Sequence, residues 1–229
     1  MNKKVWALIK YRVFNLPVEN IHVIIFITGF SLVGALLGLP VIATMLCLYA
    51  IPTMVSYNGI EPVDLKITKT QLAMPISRQE NIATRFAITA LFQIFGIILA
   101  YIFHVSSSFF INLGWGEAIW GFDLGGLNWL IADTSFMPIF LFAVGFSLLD
   151  RGLYFASSYT IFRKAGKPPF WFGIVIFMFA GAFAGTTFSW PIAEVLGEHM
   201  QLAMFVLGIL IFVVSYFISV MAFRKIDFS

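Results

Sequence analysis

The sequence has very few charged residues. Of its 229 residues, 11% are Asp, Glu, Lys or Arg and 60% are hydrophobic, whereas soluble domains carry about 25% charged residues. A soluble chain of this composition would expose large apolar patches and aggregate. We therefore expect an all-α polytopic membrane protein, with a single transmembrane domain over residues 1–229 and no soluble catalytic domain beside it.

Residues that usually carry chemistry are also scarce. Cys47 is the single cysteine and lies in an apolar run, so we expect a small core residue. His22, His104 and His199 are isolated from one another, and we expect them at the membrane interface or at helix caps. The sequence contains no Gly-x-x-x-x-Gly-Lys-Ser/Thr, His-Glu-x-x-His or Gly-x-Ser-x-Gly motif. We expect no enzyme activity, metal or cofactor in this chain, and the lack of a basic face argues against nucleic acid as a partner.

Long apolar runs predict the membrane spans. A helix needs about 20 apolar residues to cross the hydrocarbon core, and lipid offers the backbone no hydrogen-bond partner, so each span must be helical. The sequence predicts six transmembrane helices, at residues 21–38, 40–57, 86–105, 134–162, 170–188 and 202–223.

The distribution of basic residues predicts the orientation. Of the 14 lysines and arginines, 13 fall before the first span, between spans two and three, between spans four and five, or after span six. The loops on the opposite side contain none. Because basic residues are retained in the cytoplasm, we expect both termini inside the cell.

Two segments outside the spans have recognisable patterns. In residues 1–16, one helical face can hold Val5, Leu8, Ile9 and Leu16, with Lys3 and Lys10 on another, which favours an amphipathic helix on the inner membrane surface. The alternative is a frayed tail with a charge anchor. Residues 58–85 form the longest cytoplasmic loop, in which a short helix is expected to end at Pro75. Ser77 and Glu80 then form a capping box that begins a new helix running into span three.

One charged pair interrupts the fourth predicted span. Asp150 and Arg151 are neighbours, so on a helix they point about 100° apart, and we expect them not to pair simply with each other. They are either a snorkelling pair near the cytoplasmic face or a gate in which one of them forms an ion pair with another span.

The stretch from Leu72 to Phe86 resembles a known family. Its sequence, Leu-Ala-Met-Pro-Ile-Ser-Arg-Gln-Glu-Asn-Ile-Ala-Thr-Arg-Phe, is similar to the Leu-Pro-Ile-Ser-Arg-Lys-Glu stretch of membrane subunits of type-2 ABC exporters. Met74 replaces the usual leucine and Gln79 the usual lysine. The order of elements along the whole chain also resembles that family.

The resemblance implies partners and a cargo. A separate ATPase chain, which binds ATP and Mg²⁺, is expected to dock under residues 58–85, and two permeases with two ATPases form the working unit. The compact size resembles permeases that export antimicrobial or cytolytic peptides, phenol-soluble modulin exporters among them, from the bacterial plasma membrane. The cargo is therefore expected to be an amphipathic or hydrophobic peptide. The residues expected to couple to the ATPase are Leu65, Lys66, Lys69, Leu72, Met74, Pro75, Ile76, Ser77, Arg78 and Glu80.

Glycine pairs suggest where helices approach closely. Gly34 with Gly38, and Gly181 with Gly185, are small-x-x-x-small pairs in the first and fifth predicted spans. The family resemblance assigns the dimer contact to these two spans, and the alternative is packing within one chain. The sequence leaves open whether the second permease is identical.

Two other classes of function are compatible with a small polytopic protein. An intramembrane enzyme acting on lipid or peptide would need clustered His, Asp, Glu or Ser side chains on facing spans, and no such cluster can be assembled from the sequence. A passive immunity or scaffold protein would not need a shaped cytoplasmic loop.

Overall fold

The computed structural model describes residues 3–14, 18–37, 39–54, 77–112, 135–161 and 192–224. Within these ranges every regular element is helical, which confirms the predicted all-α class there. The predicted fifth span and residues 58–76 of the predicted cytoplasmic loop lie outside them. The elements are α1 (Lys3–Phe14), α2 (Val18–Leu36), α3 (Pro40–Met45), a π turn (Leu46–Ala50), α4 (Ile51–Met54), α5 (Arg78–Asn112), α6 (Phe136–Tyr159) and α7 (Ile192–Arg224).

Three of the described helices are long and apolar enough to cross a membrane. They contain the stretches Gln79–Ile111, Phe136–Tyr159 and His199–Ala222, and correspond to predicted spans three, four and six. The stretches Ile21–Leu36 and Pro40–Thr53 are also apolar but shorter. By length and composition, the three long helices fit a membrane protein.

Helix α6 is central and α7 is peripheral. Of the large apolar side chains of α6, which is described along its whole length, only Met137 and Leu153 are exposed. Among the side chains of α7 that the structure describes, one stripe packs against α6 and many large apolar ones are uncovered. Contiguous exposed apolar surface of this extent suits contact with lipid. The exposed apolar side chains of α7 are Leu202, Val206, Leu207, Ile209, Leu210, Val213, Val214, Phe217 and Met221.

The N-terminal helix packs on protein. The predicted helix is present, and Val5, Leu8 and Ile9 form its buried face, as the sequence pattern predicts. Val5 and Ile9 pack with Ile88 of α5, so this face contacts a neighbouring helix. Trp6, at 53% exposed, remains on the open side, where an amphipathic aromatic ring suits a membrane surface.

The predicted capping box begins α5. The backbone amide of Ser77 donates to Glu80 Oε2 at 2.8 Å, and the amide of Glu80 donates to Ser77 Oγ at 3.1 Å. Each side chain thus satisfies a backbone donor that the first helical turn leaves unpaired. From this cap the helix runs for 35 residues without a break, which is about 50 Å. The helix therefore begins well before the predicted span at residue 86.

Removing the cap hydroxyl tests how much it contributes. In Ser77→Ala, the amide of Glu80 loses its acceptor, and the loss should cost about 1 kcal/mol of helix stability. We expect hydrogen exchange in residues 78–82 to speed up, with the rest of α5 unchanged. Ser77→Asp, which restores an acceptor, is the control and should return exchange to its original rate. An unchanged hydrogen-exchange rate in Ser77→Ala would show that the cap contributes nothing to helix stability.

Glycines set the contact between α6 and α7. A Cβ built on Gly145 would lie 2.6 Å from the carbonyl oxygen of Met204, and one built on Gly208 would overlap the backbone of Gly145. A Cβ on Gly152 would stand 3.0 Å from Ile211. The two helices therefore pack backbone against backbone, which small residues allow in membranes.

Candidate functional site: a polar seam around the second apolar helix

Pro52 accounts for the irregular turn in the second apolar segment. Proline has no amide hydrogen and its ring clashes with the carbonyl four residues earlier, which here belongs to Leu48. The chain widens into the π turn Leu46–Ala50, and the amide of Ile51 donates to Leu46, five residues back. The carbonyls of Cys47 and Leu48 are thereby deprived of their usual α-helical donors, and they become available to neighbouring helices.

Helix α5 meets both of these carbonyls. Gln93 donates through Nε2 to the carbonyl of Leu48 at 2.9 Å, and its Oε1 accepts from Ser147 Oγ of α6 at 2.8 Å. Three helices are thus linked through one buried amide side chain. One turn along α5, a Cβ built on Gly96 would overlap the carbonyl oxygen of Cys47. Only glycine permits so close an approach of α5 to the π turn.

Asp150 and Arg151 form an ion pair with each other, which corrects the sequence expectation. Both side chains are fully buried, so neither can reach water by snorkelling. The flexible arginine side chain bends along the helix to the preceding carboxylate, because a buried charge without a partner is far more costly than a bent side chain. The 100° between the two Cβ directions does not prevent this contact.

The pair also reaches the second apolar segment. Tyr49 of the π turn donates its hydroxyl to Asp150 Oδ2 at 3.1 Å, and Arg151 Nη1 donates to the carbonyl oxygen of Thr53 at 3.0 Å. Tyr49 and Thr53 are four residues apart, and each contacts one member of the pair. The polar seam is defined as Tyr49, Gln93, Ser147, Asp150 and Arg151, with the carbonyls of Leu48 and Thr53.

Two arginine–tyrosine contacts adjoin the seam. The guanidinium carbon of Arg151 lies 6.0 Å from the ring centre of Tyr154, and that of Arg85 lies 5.9 Å from the ring centre of Tyr159. Arg85, which the sequence pattern assigns to the cytoplasmic loop, is 5% exposed and belongs to the interface of α5 with α6. A cation over an aromatic face in a desolvated site is stabilised by about 2 kcal/mol.

The isolated cysteine and one of the histidines are core residues. Cys47 is buried, as predicted. His104 is buried too, with Nδ1 3.4 Å from Thr44 Oγ1 and its ring against Phe136, so this histidine packs between helices within the chain. No group of three possible metal ligands occurs in the described part of the chain.

The predicted site residues lie in three places. Asp150 and Arg151 are at the seam. Ser77 and Glu80 form the cap of α5, and Arg78 begins that helix. Gly34 is buried against Ala43, whose Cβ would be 3.7 Å from a Cβ added at Gly34, so it serves packing between α2 and α3. The others lie outside the described residues: Leu65, Lys66, Lys69, Leu72, Met74, Pro75, Ile76, Gly38, Gly181 and Gly185.

The sequence reasoning missed Tyr49, Gln93 and Ser147. A signal was present, because Pro52 within an apolar run leaves a carbonyl without a donor and requires a polar side chain nearby. Gln93 is the one amide side chain within the third predicted span.

Compared with protein-family models, curated proteins and solved structures, the chain has no match.

Proposed function

We propose that the chain is the membrane subunit of an ATP-driven exporter of the type-2 ABC class, energised by a separate ATPase chain that binds ATP and Mg²⁺. Its cargo is an amphipathic or hydrophobic peptide that leaves a bacterial cell. The observation that supports this proposal is the unbroken helix α5, which joins a capped end to an apolar stretch long enough to span the bilayer. A rigid rod of this kind can carry a displacement from outside the membrane to the polar seam.

The proposal includes six spans with both termini in the cytoplasm. The one-sided distribution of lysine and arginine supports it. In a Cys47→Ala background, single cysteines at Asn112 and Gly197 should react with an impermeant maleimide added to intact cells, and one at Gly166 should not. Labelling at Gly166 in intact cells would disprove the six-span arrangement, and labelling after lysis serves as the control for reactivity.

A homodimer of permeases is part of the same proposal. The pair Gly181 and Gly185 supports it through the small-residue spacing. Gly34 supports it less, because this glycine already packs against Ala43 within the chain.

A second candidate function is ion-coupled transport without an ATPase. The observation that favours it is a buried carboxylate, Asp150, in a helix long enough to span the membrane, since carriers bury such groups on their ion pathways. The ion pair with Arg151 weighs against it, because a coupling carboxylate must exchange its counter-ion for a proton or a metal ion. An intramembrane enzyme and a passive scaffold have no comparable observation in their favour.

Association with an ATPase tests the leading proposal. Met74→Asp with Ile76→Asp would place two carboxylates among the apolar residues proposed to enter the groove of the ATPase, and an apolar anchor at an interface centre contributes about 2 kcal/mol or more. We expect the tagged full-length variant to insert in the membrane normally but to co-purify with no ATP hydrolysis activity. The wild type should retain that activity.

A matched substitution outside the loop controls for added charge. Ile161→Asp introduces a carboxylate at an exposed position just beyond α6, and it should leave ATPase co-purification unchanged. Normal co-purification with the double variant, or equal loss with Ile161→Asp, would reject residues 58–85 as the specific coupling element.

A further inference from the structure

The π turn Leu46–Ala50 is held in place by other helices. It is the one departure from α-helical geometry among the described helices, and such turns are often found at functional sites. The carbonyl of Leu48 depends on Gln93 of α5, and the carbonyl of Thr53 accepts from Arg151 of α6. The backbone of the segment is therefore completed by side chains that a helix movement can withdraw.

A second, less stable arrangement is available to the same residues, because proline inside α geometry kinks a helix at a cost in stability but does not forbid it. If the turn tightens to α geometry, the amide of Ile51 donates to Cys47 in place of Leu46, and the chain on one side rotates by about 100° relative to the other. Tyr49 lies within the π turn and Thr53 lies beyond it. The two residues then cannot both keep their partners on α6.

We propose that the π turn is a two-state gate between the second apolar segment and α6. Three contacts form its latch: Tyr49 with Asp150, Arg151 with the carbonyl of Thr53, and Gln93 with the carbonyl of Leu48. With the latch closed, α4 is held against α6 and the seam is sealed. With the latch released, the second apolar segment separates from α6 and its π turn is free to tighten.

Helix α5 is the element that drives the release, and this step rests on the proposed function. Gln93 is on α5, the helix proposed to receive the displacement from the ATPase. A small axial movement of α5 would withdraw Gln93 from Leu48 and, through Ser147, disturb α6. The hydrogen bond with Ser147 makes Gln93 the point at which all three helices meet.

Cys47 reports on the rearrangement of the π turn, because the tightening of the turn would rotate this side chain out of its buried position. It is the single cysteine, lies within the π turn and is fully buried, so N-ethylmaleimide reacts with it only from open states. We expect slow labelling of the wild type in membranes. Tyr49→Phe removes one hydrogen bond to a charged group and should raise the labelling rate about tenfold. Gln93→Leu should also raise it.

Tyr101→Phe is the matched control, because Tyr101 is an exposed tyrosine on α5 and takes no part in the latch. In this variant Cys47 should be labelled at the wild-type rate. Circular dichroism and thermal melts check that each variant remains folded. If folded Tyr49→Phe and Gln93→Leu label at the wild-type rate, or wild-type Cys47 labels as fast as it does in SDS, the gate is wrong.

Adding ATP to the chain with its co-purified ATPase tests the control of the π turn by α5 separately from the two-state turn itself. We expect ATP to raise the labelling of wild-type Cys47 several-fold. If Cys47 is labelled faster in the latch variants but ATP has no effect, the two-state π turn is supported. Its control by α5 is then rejected, together with the proposed function. If ATP raises labelling but Tyr49→Phe does not, the proposed function stands and the latch is overturned.

Discussion

Asp150→Ala is expected to lower the free energy of unfolding by about 3–5 kcal/mol. The substitution leaves the guanidinium of Arg151 buried without the carboxylate that neutralises it. Removing one member of a buried ion pair typically destabilises a protein by this amount. It also removes the acceptor of the Tyr49 hydroxyl. Unfolding in mixed micelles with increasing SDS measures the effect.

The double variant Asp150→Ala with Arg151→Met is the control for this prediction. It removes both charges and keeps most of the side-chain volume, and replacing both members of a buried ion pair by apolar groups is often neutral. We expect it to regain most of the lost stability. A loss in the double variant equal to the sum of the losses in Asp150→Ala alone and Arg151→Met alone would show that the two residues do not act as a pair.

Gly208→Ala is expected to lower the free energy of unfolding by about 2 kcal/mol. The added methyl group would overlap the backbone of Gly145, which cannot move aside as a flexible side chain could. Forcing extra volume into packed interiors costs about 1–3 kcal/mol, and here α6 and α7 must separate along their whole contact. The higher helix propensity of alanine returns about 1 kcal/mol at most.

Gly29→Ala provides a matched comparison in α2. A Cβ at Gly29 would meet nothing within 4 Å, so the same substitution should be neutral or slightly stabilising. Thermal melts of both variants in one detergent give the difference directly. If Gly208→Ala were as stable as Gly29→Ala, the close contact of α6 with α7 would be refuted.

The local features of the fold could largely be predicted from the sequence. The capping box at Ser77 and Glu80 depends on residues three apart, and the buried face of α1 depends on spacing within one helix. The three long helices follow from apolar runs alone. These are properties of short segments and do not require knowledge of the partner helices.

The polar seam could not be predicted in the same way because it joins residues distant in the chain. Tyr49 and Asp150 are 101 positions apart, and no periodicity relates them. The glycine pairs predicted from the sequence are four residues apart within one span, whereas Gly145 and Gly208, which approach each other, come from different helices. The expectation for Asp150 and Arg151 failed because it considered only the direction of Cβ and not the reach of an arginine side chain.

Transport driven by ATP can be measured in inverted membrane vesicles from cells that produce the chain. The probe is a fluorescent amphipathic helical peptide added outside, with vesicles lacking the chain as the background. We expect that ATP causes uptake, that uptake persists when ionophores abolish ion gradients, and that Met74→Asp with Ile76→Asp eliminates it. Uptake that a proton or sodium gradient drives without ATP would disprove the proposed function.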